Sequence, residues 1–193
     1  MSDYAVVKSI IESRRTVKPP MMNGQQIPEE QVWELVSLAN WAPTHGLTEP
    51  WRFKIYAGGQ VQIFCREHAN LYQNNTPTEK FKQDKYDKLV HMGDQASHIV
   101  IAIMHRGNLP AIPQLEEIAA ASCAVQNILL GATAMGIASY WGSGGMAYHP
   151  VMQQYLSLAP EDLVLGILYL GYSDSQLPGR RQTSIETKVD YIK

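Results

Sequence analysis

Seven consecutive residues near the middle of the chain, His98-Ile99-Val100-Ile101-Ala102-Ile103-Met104, carry no charged side chain and show no polar alternation. A short unbroken apolar run of this kind suits a strand covered on both faces. Such a strand needs a layer of other structure on either side of its sheet. A chain of 193 residues is long enough to build that arrangement as one domain over 1–193, with a core that needs no staples.

The flanking pattern supplies the layers. Val6, Val7, Ile10 and Ile11 give Tyr4–Ser13 an apolar face at helical spacing. Pro19 and Pro20 bar the helix from continuing. Pro28, Glu29 and Glu30 open a second helix, with Val32, Leu35, Val36 and Ala39 on its inner face and Pro43 beyond its end. Trp51, Phe53 and Ile55 alternate along a strand over 51–56 that Gly58 and Gly59 close. A helix is predicted over 60–72. The polar stretch 74–88 reads as a loop plus a mobile, partly exposed helix, a candidate lid or, more simply, a plain solvated helix. Leu115–Met135 is a long helix rich in small residues, with Gly136 as its stop signal. A short strand over 137–141, a helix over 149–156 and a strand over 164–172 complete the order. Helices and strands alternate without a clean βαβ repeat, which points to an α+β domain: one central sheet flanked by helices.

Composition excludes several classes. The net charge of -2 offers no general basic field for nucleic acid or anionic membrane. Cys65 and Cys123 form no CxxC pair, so they are expected to be reduced and packed inside a cytoplasmic protein. The first ten residues do not have the form of a secretory signal. The apolar stretch 118–138 is interrupted by Gln126 and Asn127 and reads as a core helix rather than a membrane span. No P-loop, GxGxxG, GxSxG or HExxH pattern occurs, and the six histidines lack metal-ligand spacing.

Three segments can carry chemistry. Ser13-Arg14-Arg15-Thr16 sets two guanidiniums beside a hydroxyl, a donor set that matches a phosphate; a solvated basic helix end is the other reading. Lys18 falls on the same side as Thr16 if the segment is extended. Trp41-Ala42-Pro43-Thr44-His45, running on to Glu49-Pro50-Trp51, is an irregular loop between a helix and a strand, where sites often lie. Trp141-Gly142-Ser143-Gly144-Gly145 follows a strand and lets backbone amides approach an anion or a ring edge.

Taken in order, SRRTVK, APTHGLTEPWRF, the small-residue helix, YWGSG and the basic tail resemble the nitroreductase family over almost the whole chain. The resemblance implies an α+β fold with a central, mostly antiparallel sheet, and FMN as cofactor with NAD(P)H as electron donor. It implies that Arg14, Arg15 and Thr16 hold the phosphate end of FMN, with Arg180 or Arg181 joining them. Lys18 would meet the polar edge of the ring and support the chemistry electrostatically, with no catalytic side chain required. Trp41, Thr44 and His45 would lie near the flavin, partly across a dimer, and Trp141, Gly142 and Ser143 would border it. Glu49 departs from the glutamine that many larger members carry before Pro-Trp. The implied activity is hydride transfer through flavin to nitroaromatics or quinones, by a homodimer. An FMN carrier or sensor with little turnover is the alternative.

Overall fold

The computed structural model describes residues 2–193. Strands β1 (Trp51–Ala57), β2 (His98–Met104), β3 (Ala138–Gly142) and β4 (Leu163–Gly171) form a four-stranded sheet in the order β1-β2-β4-β3, antiparallel at every pairing. The apolar run is β2, which lies inside the sheet and is buried along its whole length.

Two cores explain why that run never alternates. Val100, Ala102 and Met104 point to the face covered by helix α5 (Gln114–Ala134), with α2 (Glu29–Ala39) packed on α5. Ile99, Ile101 and Ile103 point to the opposite face, beneath α3 (Gly59–Asn74) and α6 (Pro150–Tyr155). Burying one such isoleucine contributes about 1.5–3 kcal/mol, so a polar residue on either face would cost heavily. Strand β4 repeats the pattern, with Leu168 and Leu170 on one side and Ile167 and Tyr169 on the other.

Helix α5 ends as its glycine requires. Gly136 adopts φ +71°, its N–H donates to the Thr133 carbonyl at 3.2 Å, and the Ile137 N–H donates to the Ala132 carbonyl at 2.8 Å. This paired closure turns the chain directly into β3. Helix α5 is also the one described helix long and apolar enough to cross a membrane, and half of its apolar window is buried within the fold.

The outer face of the first helix is open, and two expectations need correction. The first helix, α1 (Asp3–Ser13), buries none of its residues: Val6, Val7 and Ile11 are all exposed, because α1 borders α5 along one side and none of the described residues covers its outer face. Cys123 is likewise exposed on the outer side of α5, whereas Cys65 is buried. The stretch after α3 is docked rather than loose. It forms a short turn over Thr78–Lys80 and helix α4 (Gln83–Val90). Phe81 stacks on Tyr72 at 5.5 Å, the Tyr86 hydroxyl donates to Asn70 at 3.1 Å and Leu89 is buried.

Candidate functional site

The site begins where α1 stops. Arg14 leaves helical geometry at φ -56°, ψ 126°, and the chain runs extended to Pro19. Thr16 forms a parallel bridge to Ser139 of β3, and the Val17 N–H donates to the Ser139 carbonyl at 2.9 Å. Val17 is buried while Thr16 and Lys18 are exposed, so the alternation of an extended segment sets these two on one side.

Between this segment, α5 and β3 lies a polar cavity of about 400 Å³. Arg14, Thr16, Trp141 and Arg181 line it, together with Ile11, Gln126, Leu129 and Ser139. Among the described residues, no acidic side chain lines it. Two guanidiniums meeting without a carboxylate repel each other, and an anion relieves the repulsion while accepting charge-assisted hydrogen bonds. The donor set of guanidinium, hydroxyl and amide fits a phosphate monoester.

The arginine pair divides. Arg15 turns away from the cavity: Nε donates to the Leu177 carbonyl at 3.0 Å, and Nη1 donates to the carbonyls of Glu12 at 2.6 Å and Arg14 at 2.9 Å. The tail lies directly over its guanidinium, since a Cβ on Gly179 would fall 2.2 Å from Nη2. Arg181 reaches the cavity and Arg180 does not line it; the Arg180 carbonyl instead accepts from Arg181 Nη1 at 3.0 Å.

Trp141 is fixed by β4. Its indole Nε1–H donates to the Leu165 carbonyl at 3.0 Å. Gly166, at φ +147°, leaves the notch the ring occupies; a Cβ there would sit 2.2 Å from Nε1. Gly142 is buried and paired with Ile167, while Ser143 and Gly144 are exposed at the mouth of the turn.

The loop that carries Trp41, Thr44 and His45 lies elsewhere. Thr44 Oγ1 sits 3.1 Å from Thr48 Oγ1 and accepts the Glu49 N–H at 3.2 Å. Leu47 and Glu49 both adopt positive φ there, a conformation uncommon outside glycine. His45 Nδ1 pairs with Glu116 at 2.7 Å, at the N-terminal end of α5. The cavity borders Gln126 on the same helix, ten residues further on, which at 1.5 Å per residue is about 15 Å away. Trp41 lines a separate, almost wholly apolar groove of about 360 Å³, with Val7, Ile10, Leu38 and Leu130.

Sequence reasoning assigns no role to Gln126 and Ser139; the polar interruption of an otherwise apolar helix is the one signal that points to Gln126. It also misses Glu117, which is buried, pairs with Arg106 and accepts the Gly107 N–H at 3.0 Å. That pair closes the loop between β2 and α5.

An antiparallel sheet carrying one long helix on one face, with a basic cavity at the edge strand β3 beside a glycine turn, defines an α+β domain. The chain belongs to the Nitroreductase family, whose model matches residues 11–172. It is 26% identical over 191 residues to YfhC of Bacillus subtilis (strain 168), a provisionally named NAD(P)H nitroreductase, covering 96% of this chain and 93% of that one. Its fold is that of a nitroreductase-like family protein from Bacillus cereus (TM-score 0.80, 25% identity, 100% and 99% of the two chains). It also matches the FMN-dependent nitroreductase NfnB from Mycobacterium smegmatis in complex with NADPH (TM-score 0.73, 17% identity, 99% and 100% covered).

Proposed function

We propose that this chain is an FMN-dependent oxidoreductase that passes hydride from NAD(P)H, by way of the flavin, to small oxidised acceptors such as nitroaromatics or quinones. The observation that carries the reading is the convergence of Arg14, Thr16 and Arg181 on one acid-free cavity beside Trp141, in a chain of this family. The names of YfhC and NfnB support it.

When bound, FMN supplies the ring that takes and gives hydride. The protein's own part is to bind and to tune. Arg14 and Arg181 hold the phosphate, and Thr16 adds a hydroxyl donor. Arg15 acts at one remove, pinning the tail so that Arg181 stays in place. Lys18 projects on the Thr16 side and stabilises negative charge on the ring, an electrostatic role rather than a proton transfer. Trp141, Gly142 and Ser143 border the ring.

Assembly follows from what one copy leaves open. Leu115, Ala119, Cys123, Gln126 and Ala134 form an uncovered stripe along α5, continuous with the apolar groove at α1 and Trp41. Contiguous exposed apolar surface of this kind marks an interface. The occupant is a second copy in a two-fold dimer. If the two α5 helices pack antiparallel about Ser122 and Cys123, the Glu116 end of one lies beside the Leu129 region of the other. Thr44 and His45 then complete the partner's cavity. A nicotinamide donor and two cysteines left as free thiols accord with a cytoplasmic protein.

The test is direct. The purified protein should be yellow, release FMN on denaturation, and oxidise NADH or NADPH when a nitroaromatic or a quinone is supplied. A colourless protein that takes up no added FMN overturns the reading. Stoichiometric FMN with negligible turnover favours the carrier or sensor role.

A further inference from the structure

Beneath the turn that follows β3 sits a histidine that the functional reading leaves unused. His68 of α3 is 2% exposed. Its Nε2 accepts the Met146 N–H at 2.8 Å, which places the ring proton on Nδ1. Nδ1 is buried and has no hydrogen-bond partner among the described residues. The turn is folded tightly onto the ring: a Cβ on Gly145, at φ +66°, would fall 2.4 Å from Nε2 and 3.0 Å from the Leu89 side chain of α4. Phe64 lies against the imidazole at 5.9 Å between ring centroids.

As a filler of the core, this residue is a poor choice. An apolar side chain of similar size would occupy the same volume without stranding a donor in the interior. What the imidazole supplies, and a leucine would not, is an acceptor for one backbone amide at the end of the 142–146 turn. Trp141 fixes the entry to the same turn through the Leu165 carbonyl. The exposed backbone of Ser143 and Gly144 therefore hangs between two anchored points. We infer that His68 is a positioning residue, holding the glycine turn in the shape that borders the cofactor. The inference rests on the FMN reading above for what the turn touches, and on the His68–Met146 contact alone for how it is held.

Two variants separate positioning from packing. His68→Leu keeps the volume and removes the acceptor; His68→Gln restores an acceptor on a side chain of similar reach. In His68→Leu the FMN dissociation constant should rise about tenfold, the effect of losing one hydrogen bond of typical net worth. The Met146 amide should exchange faster with solvent, and the melting temperature should stay within a few degrees of the parent. His68→Gln should recover most of the affinity and the amide protection. Wild-type FMN affinity in His68→Leu, or equal impairment in both variants, overturns the inference. If His68→Leu does not fold, the wild-type protein still decides: a Met146 amide that exchanges as fast as the exposed Gly144 amide sinks the proposal. If the wild-type protein binds no FMN, the functional reading fails by itself, and Met146 exchange in the variants still reports whether His68 holds the turn.

Discussion

The Arg15 guanidinium donates through Nε to the carbonyl of Leu177, 162 positions later in the chain, at 3.0 Å. One contact thus ties the end of the first helix to the start of the C-terminal tail, and Arg181 follows four residues on. Arg15→Ala should therefore act through the tail. Limited proteolysis should cut after residue 177 faster than in the parent, and FMN affinity should fall although Arg15 does not line the cavity. Unchanged cleavage with lowered affinity would instead place Arg15 on the phosphate itself.

Arg14 and Arg181 share the cavity, so each should contribute a charge-assisted hydrogen bond to the ligand. Arg14→Ala and Arg181→Ala should each weaken FMN binding by about 1.5–3 kcal/mol. Arg180→Ala should leave it nearly unchanged. Fluorescence titration of the three variants checks the order, and an effect of Arg180 as large as that of Arg181 would overturn the assignment.

The open stripe on α5 makes assembly testable. Leu130 lies in the apolar groove beside Val7 and Trp41, which continues the proposed interface beyond the α5 stripe. Leu130→Arg places an unpaired charge there and should shift sedimentation from dimer to monomer, with loss of bound FMN because Thr44 and His45 no longer reach the second cavity. A monomer that keeps stoichiometric FMN contradicts the shared site.

Lys18 separates binding from redox tuning. It is exposed on the Thr16 side, and its charge interacts more strongly with an anionic reduced ring than with a neutral oxidised one. Lys18→Met should leave oxidised FMN bound and cost the reduced form about 1–2 kcal/mol. At about 30 mV per 1.4 kcal/mol, the midpoint should drop by roughly 20–45 mV. Spectroelectrochemistry reads this directly, and an unchanged or raised midpoint with FMN fully bound removes Lys18 from the role.

Much of the architecture can be read locally. The β2 run announces burial on both faces because no residue from Ile99 to Met104 is polar, and Gly136 announces the end of α5 because left-handed backbone favours glycine there. The positions that escape such reading depend on distant partners. Arg15 and Arg14 look equivalent in sequence; what separates them is a carbonyl in the tail. The apolar face of α1 has the right period to be buried, but period does not say whether the covering surface belongs to the same chain. Glu117 sits buried in the first turn of α5 only because Arg106 meets it there. The stretch from 74 to 88 looks mobile because its charges dominate the count, whereas Phe81 and Tyr86 dock it through Tyr72 and Asn70.

His68 should also leave a signature in the dependence of stability on pH. Burial holds its pKa down at about 4, with the Lys85 ammonium of α4 adding to the effect, against 6.5 for an ordinary histidine. Above pH 6.5 neither the folded nor the unfolded chain protonates this ring, so it imposes no slope. Below that, the unfolded chain gains a proton that the folded chain refuses. Stability then falls as pH drops from 6.5 toward 4, by a total of about 3 kcal/mol at 1.36 kcal/mol per pKa unit. Glutamine cannot titrate, so His68→Gln should flatten that part of the profile while leaving the rest to the carboxylates. Chemical denaturation at intervals between pH 7.5 and 4.5, in parent and variant, measures the difference. Parallel profiles would show that the imidazole is protonated as readily in the folded protein as in the unfolded chain, and that its Nε2 is not committed to the Met146 amide.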